Sequence, residues 1–203
     1  MAWSRPFDMS GIAMNVKRAL VACVFLLLSA NAGAQSFFFG GSLGRSDIDE
    51  SIAGALITSG SIDGKDSAFK IFGGGFFSPH FGAELSYVDL GEATYSGDFF
   101  GTPVTNGRMG IWGYNVAALA RFPLGESFSL FGKLGVFLWE AEESDVFGGT
   151  PFSTTTRGWD GGSFGFGAAW RFTRNLAARV EWEQFPIDTS DASLVSIGLQ
   201  YSF

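Results

Sequence analysis

Residues Ser193–Phe203 read SLVSIGLQYSF, and the fold follows from how they alternate. Val195, Ile197, Leu199, Tyr201 and Phe203 fall on one side of an extended chain, and Ser196, Gly198, Gln200 and Ser202 on the other. A soluble edge strand rarely carries five large apolar groups on one face and ends on a bare Phe. This segment is expected to seal against lipid on that face and against the first strand of the same sheet.

Working outward, the same period-2 pattern recurs from residue 36 onward. The first strand spans about 36–44, with Phe37, Phe39 and Leu43 outward and Gly40, Ser42 and Gly44 inward. A hairpin around Ser78-Pro79-His80 joins two more. Phe69, Ile71 and Phe77, then Phe81, Ala83, Leu85 and Tyr87, make its outer stripes; Lys70, Phe72, Gly74 and Phe76, then Gly82, Glu84 and Ser86, point in. Strands flanking Pro123–Glu126 send out Trp112, Tyr114, Val116, Ala118, Ala120 and Phe122, then Leu130, Leu134, Val136 and Leu138. Around Thr173-Arg174-Asn175 the outer stripes are Phe164, Phe166, Ala168, Trp170 and Phe172, then Leu176, Ala178, Val180 and Trp182. The total is eight strands, each near the 9–11 residues that a tilted strand needs to cross hydrocarbon. Short turns alternate with three long connections, about 45–66, 91–111 and 140–160. The expected fold is all-β: an eight-stranded antiparallel up-and-down transmembrane β-barrel. A soluble barrel of equal strand number would turn its apolar face inward, whereas here the charges oppose the aromatics.

Composition agrees. The 203 residues include 29 glycines and 16% aromatics, and only 16% are charged, against about 25% in soluble domains. The longest apolar run, Ala19–Ala30, is too short for a spanning helix. Preceded by Lys17 and Arg18 and followed by Ala32-Gly33-Ala34, it reads as a signal peptide cleaved after Ala34. Met14 is a natural initiator for it, and Cys23 lies inside the apolar run, which argues against a lipoprotein. Residues 1–34 are therefore an N-terminal extension and signal peptide, and 35–203 the barrel domain. Without Arg5, Lys17, Arg18 and Asp8, the 13 basic and 20 acidic residues become ten and nineteen, a net −9 with no cysteine. That balance excludes nucleic acid as a partner.

Several stretches then carry a resemblance: Phe37–Gly44 (FFFGGSLG), Phe72–Gly91 (FGGGFFSPHFGAELSYVDLG), Ala120–Pro123 (ARFP), Lys133–Trp139 (KLGVFLW), Leu176–Trp182 (LAARVEW) and Leu199–Phe203. Their order and spacing resemble the transmembrane domain of the OmpA-like small outer-membrane barrels. The resemblance implies the cell outer membrane as location, and outer-membrane lipid, lipopolysaccharide and the assembly machinery as partners of a monomer. It implies that Leu199, Tyr201 and Phe203 form the C-terminal assembly signal. Many relatives add a peptidoglycan-gripping domain; this chain stops at the last strand, so tethering is not expected of it.

By strand parity the inward charges are Lys70, Arg121, Lys133, Arg171 and Arg179 with Glu84, Glu181 and Glu183. An eight-stranded barrel is just filled by its own side chains, so such charges must pair. They form either a structural plug or the gate of a narrow polar channel. The resemblance matches the family's interior ion-pair cluster to Glu84, Lys133, Arg179 and Glu181. It also puts Leu119 and Ala169 where relatives hold charges, with Arg121 and Arg171 standing in for them.

No catalytic residue is assigned. The single histidine, His80, sits in a turn beside Pro79, and without cysteine beyond residue 34 the usual zinc or iron ligands are missing. No cofactor or metal is expected. The acids of the long connections (Asp47, Asp49, Glu50, Asp63 and Asp66; Glu140, Glu142, Glu143, Asp145 and Asp160) lack cation-loop spacing and read as solvated loops. The expected role is structural or surface-interacting, with a low-conductance pore as the alternative.

Overall fold

A computed structural model describes residues 36–48, 59–63, 65–99, 102–147, 150–158, 162–187 and 190–203. The extension and signal peptide, Met14, Cys23 and the cleavage point after Ala34 lie outside the described residues, as do Asp49, Glu50, Asp160 and the side chains of Asp63 and Asp145.

The strands are β1 (Ser36–Ile48), β2 (Ser59–Asp63), β3 (Lys65–Phe76), β4 (Phe81–Phe99), β5 (Thr102–Leu124), β6 (Phe128–Phe147), β7 (Thr150–Gly158), β8 (Gly162–Arg171), β9 (Leu176–Ile187) and β10 (Ser190–Ser202). Eight of them close a ring in the order β1-β3-β4-β5-β6-β8-β9-β10, and β10 returns antiparallel to β1. Closure pairs every strand of the ring on both sides, the condition that lipid imposes on a sheet. The remaining two, β2 and β7, pair with the far ends of β4 and β6.

Tight turns connect one end. The Ser78 hydroxyl accepts the amides of His80 and Phe81 (3.3 and 2.9 Å), and Thr173 does the same for Asn175 and Leu176 (3.3 and 2.9 Å). Gly125 turns the third with φ +87°.

At the other end the expected long loops are corrected. Most of 91–111 is the continuation of β4 and β5, and most of 140–160 that of β6 and β7. Strands β4, β5 and β6 run to 19, 23 and 20 residues, about twice what crossing requires. The cause is an inward stripe that stays apolar past the membrane: Val88, Leu90, Ala93, Ile111, Phe137, Trp139 and Ala141 are all buried. They pack with Ile48, Phe185, Ile187 and Leu194 into one cluster. Burying that surface holds the hairpins in register. Between Asp89 and Glu92 a bulge shifts the inward parity of β4 from Leu90 to Ala93. Gly91 occupies it with φ +78°, a backbone that side chains disfavour.

The outer face divides along the same line. Leu134, Phe166, Ile197 and Leu43 are 72%, 61%, 64% and 70% exposed, as lipid-facing groups must be. At the hairpin side the band ends in touching rings of Phe69, Tyr87, Trp112 and Tyr114. At the turn side it ends in Phe39, Tyr201 and Phe203 and in the Phe128–Trp170–Phe172 stack. Beyond Tyr87 and Trp112 the outward positions turn polar: Arg45, Asp47, Arg108, Glu142 and Ser144 are exposed.

Candidate functional site: the charged layer inside the barrel

The inside of the barrel carries three layers, two within the membrane band and one beyond it. Next to the turns, Phe38, Phe72, Phe76 and Leu119 form a buried apolar floor. Close packing there requires glycine across the sheet. A Cβ on Gly40 would lie 2.5 Å from the Phe72 ring, and one on Gly74 2.7 Å from the Phe38 ring.

Above the floor lie six charged groups, all buried: Lys70 on β3, Glu84 on β4, Lys133 on β6, and Arg179, Glu181 and Glu183 on β9. Lys133 Nζ lies 2.8 Å from Glu84 Oε1, 2.8 Å from Glu183 Oε1 and 2.5 Å from Glu181 Oε2. Lys70 Nζ is 2.6 Å from Glu181 Oε2 and also pairs with Glu183. Arg179 bridges Glu84 (NH1 to Oε2, 3.0 Å) and Glu181 (Nε to Oε1, 2.7 Å). Its guanidinium lies over the Phe72 and Phe131 rings at 4.3 and 4.5 Å, which joins the charged layer to the aromatic floor. Three cations and three carboxylates cancel, so the layer is neutral as a unit, and each ion's desolvation is offset by more than one partner.

Ser42, Ser86, Asn115, Ser163 and Ser196 surround it, with the Ser163 hydroxyl donating to Asn115 Oδ1 at 2.7 Å. The third layer is the hairpin-side apolar cluster, where the Phe137 and Phe185 rings meet at 4.6 Å. Carboxylate oxygens of Glu84, Glu181 and Glu183 approach within 4.8 Å of one another, as metal ligands do. The ammonium groups of Lys70 and Lys133 already supply the positive charge that an ion would bring there.

Six of the eight residues assigned to the interior network thus meet. Arg121 and Arg171 do not, and their expected compensating role is corrected. Both lie at the turn-side rim, below the aromatic floor. Arg121 donates through Nε and NH2 to Pro79 O (3.1 and 3.0 Å), and Arg171 donates through NH2 to Glu126 O. Lys70 and Glu183 complete the neutral set instead, so no further arginine is needed. Leu119 belongs to the floor. His80 is exposed in its turn, with Nδ1 3.2 Å from Arg121 O.

Leu199, Tyr201 and Phe203 all face outward at the seam. The Tyr201 ring meets Phe39 at a tilt (5.8 Å) and Phe203 edge-on (5.3 Å), and the Phe203 amide donates to Phe37 O at 3.0 Å. Strand parity placed Phe72 and Phe76 of the floor inward but did not reveal the hairpin-side apolar layer. The available signal was bulky apolar residues at inward positions, Val88 and Leu90 on β4, Phe137 and Trp139 on β6 and Phe185 on β9.

Comparison with known proteins converges on one group. Residues 20–203 match the family described as "Outer membrane protein beta-barrel domain". Outer membrane protein A of Yersinia pseudotuberculosis serotype I (strain IP32953) is 25% identical across 93% of this chain and 56% of that protein. The Salmonella typhi protein of the same name is 30% identical across 65% of this chain and 39% of its own length. The chain therefore spans about half the length of the curated relatives it matches. Among solved structures, the attachment invasion locus protein Ail of Yersinia pestis superposes with a TM-score of 0.53 at 16% identity, covering 83% of this chain and 97% of that one. OprG of Pseudomonas aeruginosa gives 0.53 at 13% identity, covering 84% and 96%. These two show the fold. All four are outer-membrane or surface proteins rather than members of an enzyme family.

Proposed function

Because the chain belongs to the outer membrane protein beta-barrel domain family, we propose that it is a closed, non-conducting outer-membrane barrel that contributes to envelope integrity and presents its long hairpins as an outer surface. The observation that carries this reading is the stacking of the lumen. A neutral, fully ion-paired layer lies between an aromatic floor and an apolar plug, and a dehydrated apolar segment opposes ion passage. In this reading the short turns face the periplasm and the β4–β5 and β6–β7 hairpins face outward, among lipopolysaccharide. Residues 1–34 direct export and are cleaved after Ala34, and Leu199, Tyr201 and Phe203 engage the assembly machinery. The barrel acts as a monomer.

Planar-bilayer recording tests it. The protein is expected to give no steady unitary openings. Steady openings that disappear on changing Glu84 or Arg179 would instead make the charged layer the gate of a low-conductance pore.

A further inference from the structure

The outward face of β1 changes character twice over a short distance. Between Phe39 and Leu43 the lipid-facing stripe is interrupted by Gly41, and two residues beyond Leu43 it ends at Arg45. Gly41 pairs with Ile71 on β3 and Leu199 on β10, and Leu43 pairs with Phe69 and Ile197. All five of these side chains face out. With no side chain at Gly41, they border an apolar hollow of about 430 Å³ on the lipid-facing surface. A Cβ on Gly41 would meet nothing nearer than Lys70 O at 3.6 Å, so packing within the protein does not require glycine there.

Arg45 is exposed on the same face, about 13 Å from Gly41 along the strand at ~3.3 Å per residue. That is less than the roughly 15 Å of hydrocarbon in one leaflet. Its cross-strand neighbours, Ser67 and Val195, carry no charge, and Ser67 lies two residues beyond Phe69 of the hairpin-side aromatic band. The guanidinium therefore stands at headgroup level. Other cations of this rim are matched: Lys65 meets Asp47 at 3.6 Å, Arg108 meets Glu92 at 3.8 Å and Arg157 meets Glu140 at 2.6 Å. Arg45 has no ion-pair or hydrogen-bond partner among the described residues. The carboxylates on and beside its strand are engaged elsewhere. Asp47 is held by Lys65, Asp66 accepts the amides of Ser67 and Glu92, and Asp191 accepts the side-chain amide of Gln184. An anion from outside the chain would match Arg45.

We propose that β1, at the seam where the barrel closes, seats one lipid A molecule, the phosphorylated and multiply acylated glucosamine anchor of lipopolysaccharide. Arg45 holds one of its phosphates, and one of its acyl chains runs down past Leu43 into the hollow at Gly41. A guanidinium fork suits phosphate oxygens, and cation and hollow share one face of one strand in the order that headgroup and chain require. The choice of lipid rests on the outward-facing hairpins proposed above, which put this rim in the outer leaflet.

The test is native mass spectrometry of the full protein, purified in neutral maltoside micelles and doped with bis-phosphorylated lipid A, dephosphorylated lipid A or phosphatidylglycerol. Outer-membrane fractionation and a boiled-against-unboiled gel shift come first, so failure of the membrane reading is seen separately from loss of lipid. Bis-phosphorylated lipid A is expected to stay bound and the other two lipids to be lost. Arg45→Gln, folded by the gel assay, should weaken retention roughly tenfold, the loss of one charge-assisted bond. Gly41→Leu fills the hollow and should weaken it about tenfold too, the contact of roughly two methylenes. Gly132→Leu, an outward glycine on β6 with equal room for a side chain, should leave retention unchanged. Equal retention of the two lipid A forms, or retention unchanged in Arg45→Gln and Gly41→Leu, overturns the proposal. Phosphatidylglycerol held as firmly as lipid A would overturn the glycolipid as occupant. A dimer that Gly41→Leu abolishes would make the hollow a contact between copies and overturn it as well.

Discussion

The membrane half and the hairpin half of this barrel are built from the same strands with opposite polarity. Toward the turns the interior holds Lys70, Glu84, Lys133, Arg179, Glu181 and Glu183, while Leu134, Phe166 and Ile197 face out. Past Tyr87 and Trp112 the interior holds Val88, Leu90, Phe137, Trp139 and Phe185, while Arg108, Glu142 and Ser144 face out. The first arrangement suits hydrocarbon outside, and the second suits water outside. A strand that passes from lipid to water therefore exchanges its two faces, β6 in unbroken register and β4 through the bulge at Gly91.

Removing one member of the charged layer should have the largest effect. Glu181→Leu leaves three buried cations facing two carboxylates and is expected to destabilise the folded barrel by about 3–5 kcal/mol, read from urea unfolding in lipid vesicles. An unchanged midpoint would mean that the layer is hydrated rather than dry.

A single new charge placed outward in each half breaks the comparison more directly. Leu134→Arg should cost about 2–4 kcal/mol, because the side chain enters hydrocarbon. Ser144→Arg, in the same outward register of β6, should stay within about 0.5 kcal/mol. Equal costs would show that both positions meet the same solvent.

The bulge on β4 sharpens the comparison on the hairpin side. Gly91→Ala forces a side chain into φ +78°, with Asp66 Cβ 2.9 Å from the added carbon. The expected loss is about 1–2 kcal/mol, with faster amide exchange confined to the hairpin half.

The smallest expected effect is electrostatic and lies in water. The hydrogen bond from Arg157 NH2 to Glu140 (2.6 Å) holds that carboxyl below its ordinary value of 4.5. Since the folded value is depressed, the contribution is complete above 4.5 and is lost as pH falls through the folded value. A carboxyl carbon titration should show Glu140 moving up toward 4.5 in Arg157→Gln, and no movement would remove the pair from the account.

Much of the embedded half was legible because alternation is a local property. Each inward and outward assignment from Phe37 through Phe203 needed a residue's parity and a neighbouring turn. Two things were not legible. Parity places Arg121 and Arg171 inward, but it does not say how far along the axis a side chain sits, and both fall at the rim. The hairpin half looked like loop because Gly91, Gly97, Gly107 and Gly110 interrupt the pattern and the bulge at Gly91 shifts its phase. The inward apolar stripe that holds it together is contributed by seven strands and becomes visible only when they are side by side.

Cysteine is absent beyond residue 34, so single spin labels can be placed along the outward face of β6 at 134, 138, 142 and 144 in the barrel reconstituted in lipid. Collision with oxygen, which partitions into hydrocarbon, should dominate at 134 and 138, and collision with a water-soluble nickel complex should dominate at 142 and 144. Oxygen dominance at all four sites, or nickel access at 134, would contradict the exchange of faces.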